Sequence, residues 1–147
     1  MFSALSDDEL ARLLREDAPH GDLTTHTLNL GATPGCLTMA ARQAMVVCGS
    51  EEAARLFELL GAHVQVHAAS GAHLLAGAPI LSAQGRADVL LLAWKVAQTL
   101  MESASGIASE VARIVTGLRA AGHPQPLACT RKAFPGTRAL EIGRAHV

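Results

Sequence analysis

The chain has 147 residues, 50% of them hydrophobic and 17% charged, which suits one domain with its own core and excludes a disordered tail. A formal net charge of −1 and a pI near 6.6 supply no global field for nucleic acid or an anionic membrane, so any anion site must be local. The longest uninterrupted apolar run, residues 89–94, is far short of the roughly 20 residues of a membrane span. Met1-Phe2-Ser3-Ala4 also lacks the basic-then-apolar pattern of a secretory signal, so a soluble cytoplasmic protein is expected. Cys36, Cys48 and Cys129 are odd in number and form no CxxC, which argues against a disulfide framework or a zinc knuckle and for buried, reduced thiols.

Ser6-Asp7-Asp8-Glu9 has capping-box spacing, and Leu10, Leu13 and Leu14 follow at helical intervals, predicting a helix over residues 7–17. Ala18-Pro19-His20-Gly21 stops it. Asp22-Leu23-Thr24-Thr25 reads as loop, with His20, Asp22, Thr24 and Thr25 serving turn chemistry. Alternation over residues 36–40 and an apolar run over 44–48 predict two strands joined by a turn. Ser50 is placed to cap a second helix, with Glu51 and Glu52 at its positive end, Leu56, Phe57, Leu59 and Leu60 buried, and Gly61 as its stop. Residues 63–67 alternate as a third strand with Val64 and Val66 on one face. His63 and His67 share the other face without a third ligand, so a polar sheet face explains them better than a metal.

Gly71 and Gly77 punctuate the next stretch, and residues 79–85 suggest a strand entered through a turn. A long helix is predicted over residues 87–104, with Leu90, Ala93, Ala97, Leu100, Met101 and Ala104 inward and Lys95, Thr99 and Glu102 outward. Ser105-Gly106 is expected to break or bend it before a further helix marked by Ile107, Val111, Ile114, Val115 and Leu118, ending near Gly122. Leu127-Ala128-Cys129-Thr130 reads as a short buried strand.

The most unusual segment is Thr130-Arg131-Lys132-Ala133-Phe134-Pro135-Gly136-Thr137-Arg138, with Arg131, Lys132 and Arg138 close together and no acid before Glu141. If the preceding strand opens a parallel barrel, these cations lie at its C-terminal end, where barrel enzymes place their sites. Pro135-Gly136 signals a turn that could return Arg138 toward Arg131 and Lys132. Arginine forks onto carboxylate or phosphate and lysine adds a point charge, so the cluster suits a small polyanion; read by itself, such a cluster is more often a solvated basic loop.

Thr130-Arg131-Lys132 with Pro135-Gly136 and Arg138 resembles the T-R-K-x-x-P-G-x-R segment of the type II phosphoribosyltransferases that join quinolinate to phosphoribosyl pyrophosphate. Glu16-Asp17 with Gly21-Asp22-Leu23-Thr24-Thr25, the hairpin through Gly77-Ala78-Pro79 to Gly85, and Ser105-Gly106-Ile107-Ala108-Ser109 resemble other family segments in the same order. Trp94-Lys95-Val96-Ala97 with Phe134-Pro135-Gly136-Thr137 is similar to the ModD branch, named for molybdenum-transport operons.

The resemblance implies an α+β fold: an N-terminal α/β sandwich over residues 1–105, then the start of an α/β (TIM-like) barrel over 106–141, represented by its first strand. It implies a homodimer in which each sandwich meets the neighbour's barrel, and phosphoribosyl transfer to a small anionic acceptor with magnesium present. Quinolinate enzymes then lose carbon dioxide. Arg131 and Lys132 match the family's substrate-binding pair and Arg138 its following arginine. Lys95 stands where the quinolinate enzymes place an arginine that reaches into the partner's site. That Glu-Arg pair is Trp94-Lys95 here, and a Thr-Thr pair is Ala133-Phe134, which points to an acceptor other than quinolinate. Alternative readings are a true carboxylating quinolinate enzyme of NAD biosynthesis and a non-catalytic oxyanion-binding component of molybdate transport.

A barrel takes about 200 to 250 residues, so magnesium and phosphate ligands are expected beyond this chain. Residues 142–147, with His146, read like the translation of a sequencing-library adapter, and a non-native tail is expected. A lone first barrel strand would leave backbone groups unpaired and the last helix partly uncovered. The 147-residue chain is therefore expected to release no pyrophosphate from phosphoribosyl pyrophosphate, which a coupled pyrophosphate assay on the purified polypeptide checks.

Overall fold

The computed structural model describes residues 3–123, 125–127, 132–134 and 136–140. Helix α1 spans Asp7–Asp17 and starts on a complete capping box: Ser6 Oγ accepts from the Glu9 N–H at 3.3 Å, and Glu9 Oε2 accepts from the Ser6 N–H at 2.8 Å. Leu10 and Leu14 bury its apolar stripe. The next segment is not the expected loop but a short helix, α2, Leu23–Thr27. Asp22 makes the difference, because its Oδ2 accepts from the Thr25 N–H at 2.9 Å and so caps the turn.

Three antiparallel strands form the main sheet: β1, Pro34–Ala40; β3, His63–Val66; and between them β5, Pro79–Arg86. Leu37, Ala83 and Val64 make one cross-strand row and Met39, Leu81 and Val66 another. Both rows face the core, where Leu81 and Ala83 are fully buried. Cys36, Gln84, His63, Thr38, Ser82 and Gln65 occupy the opposite face, which places Cys36 in solvent rather than in the expected core. On that face His67 Nε2 lies 2.8 Å from Ser82 Oγ.

The run over residues 44–48 does not pair with β1. Its strand β2, Met45–Val46, pairs instead with β4, His73–Leu74, an element too short to leave a pattern in the sequence. Ala41 explains the departure: its N–H donates to the Ala78 carbonyl at 2.9 Å and its carbonyl accepts from Gly77 at 2.8 Å. These bonds extend the pairing of β1 with β5 by one residue, so the partner of β1 is the stretch from Gly77 on and not residues 44–48.

Helix α3, Ser50–Leu59, is capped by Gly49 and not by Ser50. Gly49 has φ +84°, and a Cβ there would sit 2.7 Å from Leu100 Cδ2 on the long helix α4, Ala87–Ala120. Only glycine permits both the left-handed backbone and that approach. Glu51 and Glu52 are buried and do more than complement the helix dipole. Glu51 accepts from the Ser70 N–H at 3.0 Å and from Ser70 Oγ, while Glu52 Oε1 accepts from the Ala4 N–H and from Ser3 Oγ at 3.2 Å.

The expected break at Ser105-Gly106 is absent: α4 is one helix of 34 residues. Glycine in a helix costs only about 1 kcal/mol relative to alanine, and packing around Ser105 outweighs it. Ser105 Oγ accepts from the buried Cys48 N–H at 2.9 Å and donates to the Cys48 carbonyl at 3.2 Å. One turn on, Ser109 Oγ accepts from the Val46 N–H at 2.9 Å. The predicted inward residues of α4, from Leu90 to Ala104, are all buried. Beyond residue 108 the coverage thins, and Ile114 is exposed.

Helix α5, Arg138–Leu140, is held by Leu140, which joins the core. In the predicted strand Leu127-Ala128-Cys129-Thr130, Leu127 has no regular structure and residues 128–130 lie outside the described residues. The α+β class holds for the sandwich.

Ser105→Ala would remove both bonds between Ser105 Oγ and Cys48, and it is expected to lower stability by about 1 to 3 kcal/mol in urea unfolding. Gly106→Ala meets open space and is expected to raise stability by about 0.5 to 1 kcal/mol in the same experiment.

Arg55 on α3 holds Asp7 on α1 through two hydrogen bonds of 2.9 and 2.8 Å, and these bonds depress the Asp7 pKa. A depressed carboxylate stabilises the fold above its unfolded pKa and loses that contribution as pH falls through the folded value. Unfolding midpoints should therefore drop on acidification below about pH 4, and Arg55→Met should flatten that part of the profile.

Candidate anion-binding site

Helix α4 buries one face and turns the other to solvent. Lys95, Thr99 and Glu102 lie on the exposed side, as their spacing predicts. Trp94 is half-buried against the core, and the Lys95 ammonium sits 4.1 Å from its ring centroid. Glu102 is engaged elsewhere, since its Oε1 accepts from Gln98 Nε2 at 2.8 Å.

The basic segment is described in part. Lys132 is exposed and lies in no helix or strand, and Arg138 is exposed at the start of α5. Arg131 lies outside the described residues. Pro135 also lies outside the described residues; beside it the Thr137 N–H donates to the Phe134 carbonyl at 3.0 Å, and Gly136 has φ +90°. Glycine adopts that left-handed backbone without a steric cost. Thr137 Oγ1 also donates to the Phe134 carbonyl at 2.7 Å, while the Phe134 side chain is exposed.

Ion pairs among the described residues use Arg55, Arg86 and Arg113. Lys95, Lys132 and Arg138 take part in none of these. None of these three lines the cavity of about 460 Å³ at the seam of α1, α4 and residues 136–140, which is lined in part by Arg12, Glu16, Asp17, Thr99 and Thr137. Nothing local in the sequence says that residues 136–140 dock beside Arg12 of α1. The partnership of Trp94 with Lys95 was likewise missed, because neighbouring helix positions do not ordinarily face each other.

No three His, Cys, Asp or Glu side chains among the described residues converge where a metal could sit. The described residues therefore offer no set of ligands that fits a magnesium ion. No helix among the described residues is long and apolar enough to cross a membrane.

Residues 22–105 match the family model for the quinolinate phosphoribosyl transferase N-terminal domain. The chain belongs to the quinolinate phosphoribosyl transferase family. Among its relatives, the ModD protein of Rhodobacter capsulatus is 50% identical over 138 residues, covering 94% of this chain and 53% of that protein. The carboxylating nicotinate-nucleotide pyrophosphorylase of Homo sapiens is 34% identical over 128 residues, 87% of this chain and 42% of that one. The solved nicotinate-nucleotide pyrophosphorylase of Ehrlichia chaffeensis superposes with a TM-score of 0.83 at 25% identity, over 96% of this chain and 52% of that structure. The chain thus spans about half the length of the curated family members it matches.

Proposed function

We propose that the whole protein transfers a phosphoribosyl group from phosphoribosyl pyrophosphate to the ring nitrogen of an aromatic carboxylate. In this reaction the nitrogen forms a bond to C1′ of the sugar, the bond from C1′ to the pyrophosphate oxygen breaks, and pyrophosphate leaves with the electron pair. The protein's part is electrostatic, because fixed cations stabilise charge on the acceptor carboxylate and on the departing pyrophosphate. The observation that carries the reading is Lys95: within the matched family segment it is a solvent-facing cation without a carboxylate partner among the described residues.

In this reading residues 1–105 are the sandwich, residues 106–141 lead into the barrel, and the protein is a cytoplasmic homodimer. Lys95 enters the partner's site, while Arg131, Lys132 and Arg138 serve the site of their own barrel. A lysine presents a point charge where an arginine would present a two-pronged donor. That difference favours an acceptor whose carboxylate needs no bidentate grip, and so one other than quinolinate.

Expression of the complete reading frame allows the test. With phosphoribosyl pyrophosphate and a panel of aromatic acids, pyrophosphate release is expected with an acid other than quinolinate. Lys95→Ala should lower kcat/KM about 10- to 100-fold, the worth of one hydrogen bond to a charged group. Calorimetry with molybdate should show no binding. Release of pyrophosphate with no acid, or binding of molybdate without phosphoribosyl pyrophosphate, would overturn the proposal.

A further inference from the structure

Side chains at successive helix positions diverge, so a lysine that followed its own direction at residue 95 would point away from residue 94. Lys95 does the opposite. Its ammonium lies 4.1 Å from the Trp94 ring centroid, well inside the roughly 6 Å of a cation–π contact, for which tryptophan is the strongest partner. The ring is itself restrained, because Trp94 is packed half-buried against the core. A fixed aromatic surface thus orders a long and otherwise mobile side chain.

The nature of the restraint matters more than its strength. A carboxylate that held Lys95 would neutralise it, whereas an indole face attracts the cation through its quadrupole and leaves the net charge intact. The acidic residues to either side on α4 are engaged elsewhere: Asp88 pairs with Arg86, and Glu102 accepts from Gln98. Lys95 is therefore ordered, solvent-facing and uncompensated among the described residues, which is the state an anion ligand needs before its anion arrives.

We propose that Trp94 is the positioning residue of Lys95: its half-buried indole holds the ammonium over one face, oriented but not neutralised, to receive the carboxylate of an aromatic acid. The substrate in that statement rests on the function proposed above; the positioning does not. Trp94 acts only through Lys95. It fixes where the charge is presented, and through that which acceptors are gripped.

Trp94 is the single tryptophan of the chain, so its emission reports on this contact directly. In the 147-residue chain, removing the ammonium with Lys95→Met should brighten and shift that emission, because an ammonium over an indole quenches it. Lys95→Arg should keep the emission near wild type. Far-UV circular dichroism of the three proteins should match throughout. Emission identical in wild type and Lys95→Met overturns the proposal.

In the complete enzyme, Trp94→Leu should raise the acceptor KM about 2- to 10-fold, the worth of a cation–π contact, with kcat nearly unchanged. Trp94→Phe should restore most of the loss. A fall in kcat with KM unmoved, or a phenylalanine variant no better than leucine, also overturns it. If the fluorescence contrast holds while no acceptor supports turnover, the positioning stands and the proposed function falls.

Discussion

Two serine hydroxyls on α4 do for residues 45–48 what a neighbouring strand would otherwise do. Four residues of helix rise about 6 Å, close to the roughly 6.6 Å between alternate residues of a strand. Ser105 and Ser109 can therefore meet Cys48 and Val46 in register. On the other edge the Val47 N–H donates to the Ala72 carbonyl and the Val47 carbonyl accepts from Gly71. A buried segment that has left the main sheet is thus satisfied from both sides, and buried backbone groups require that. The contact locks α4 against the start of α3, where Gly49 allows Leu100 its close approach.

That lock makes α4 an unbroken platform. Its inner face closes the core from Leu90 to Ala108, and its outer face carries Lys95. The same segment, Ser105-Gly106-Ile107-Ala108-Ser109, carries part of the family resemblance. The structure gives it a physical reason other than a helix junction: both serines are ligands of backbone, and Gly106 lies between them on the open side. Reading Ser-Gly as a breaker weighed local propensity alone. Tertiary hydrogen bonds are worth more than the propensity they oppose.

Much of the fold was legible because it rests on local chemistry. The capping box at Ser6 and Glu9, the alternation in Val64 and Val66, and the stripe from Leu90 to Ala104 each appear where their spacing put them. Strand partners were not legible. Ala41, which bonds to Gly77 and Ala78 and so extends the pairing of β1 with β5, looks in sequence like any other alanine. The site was legible as residue types. Lys95 stands on the exposed face as its spacing required, but its hold on Trp94 runs against the helix rule that makes spacing informative.

The sequence by itself determined where α1 begins, which residues of α4 from Leu90 to Ala104 turn inward, and that a helix ends near Gly122, because these follow from periodicity, capping and glycine punctuation. Only the tertiary structure decided that β1 pairs with β5, that Gly49 takes the capping position expected of Ser50, that α4 runs unbroken past Gly106, and that Lys95 rests on Trp94. Each of those depends on groups whose meeting no local spacing encodes. It is the satisfaction of buried polar atoms and the filling of the core that bring them together.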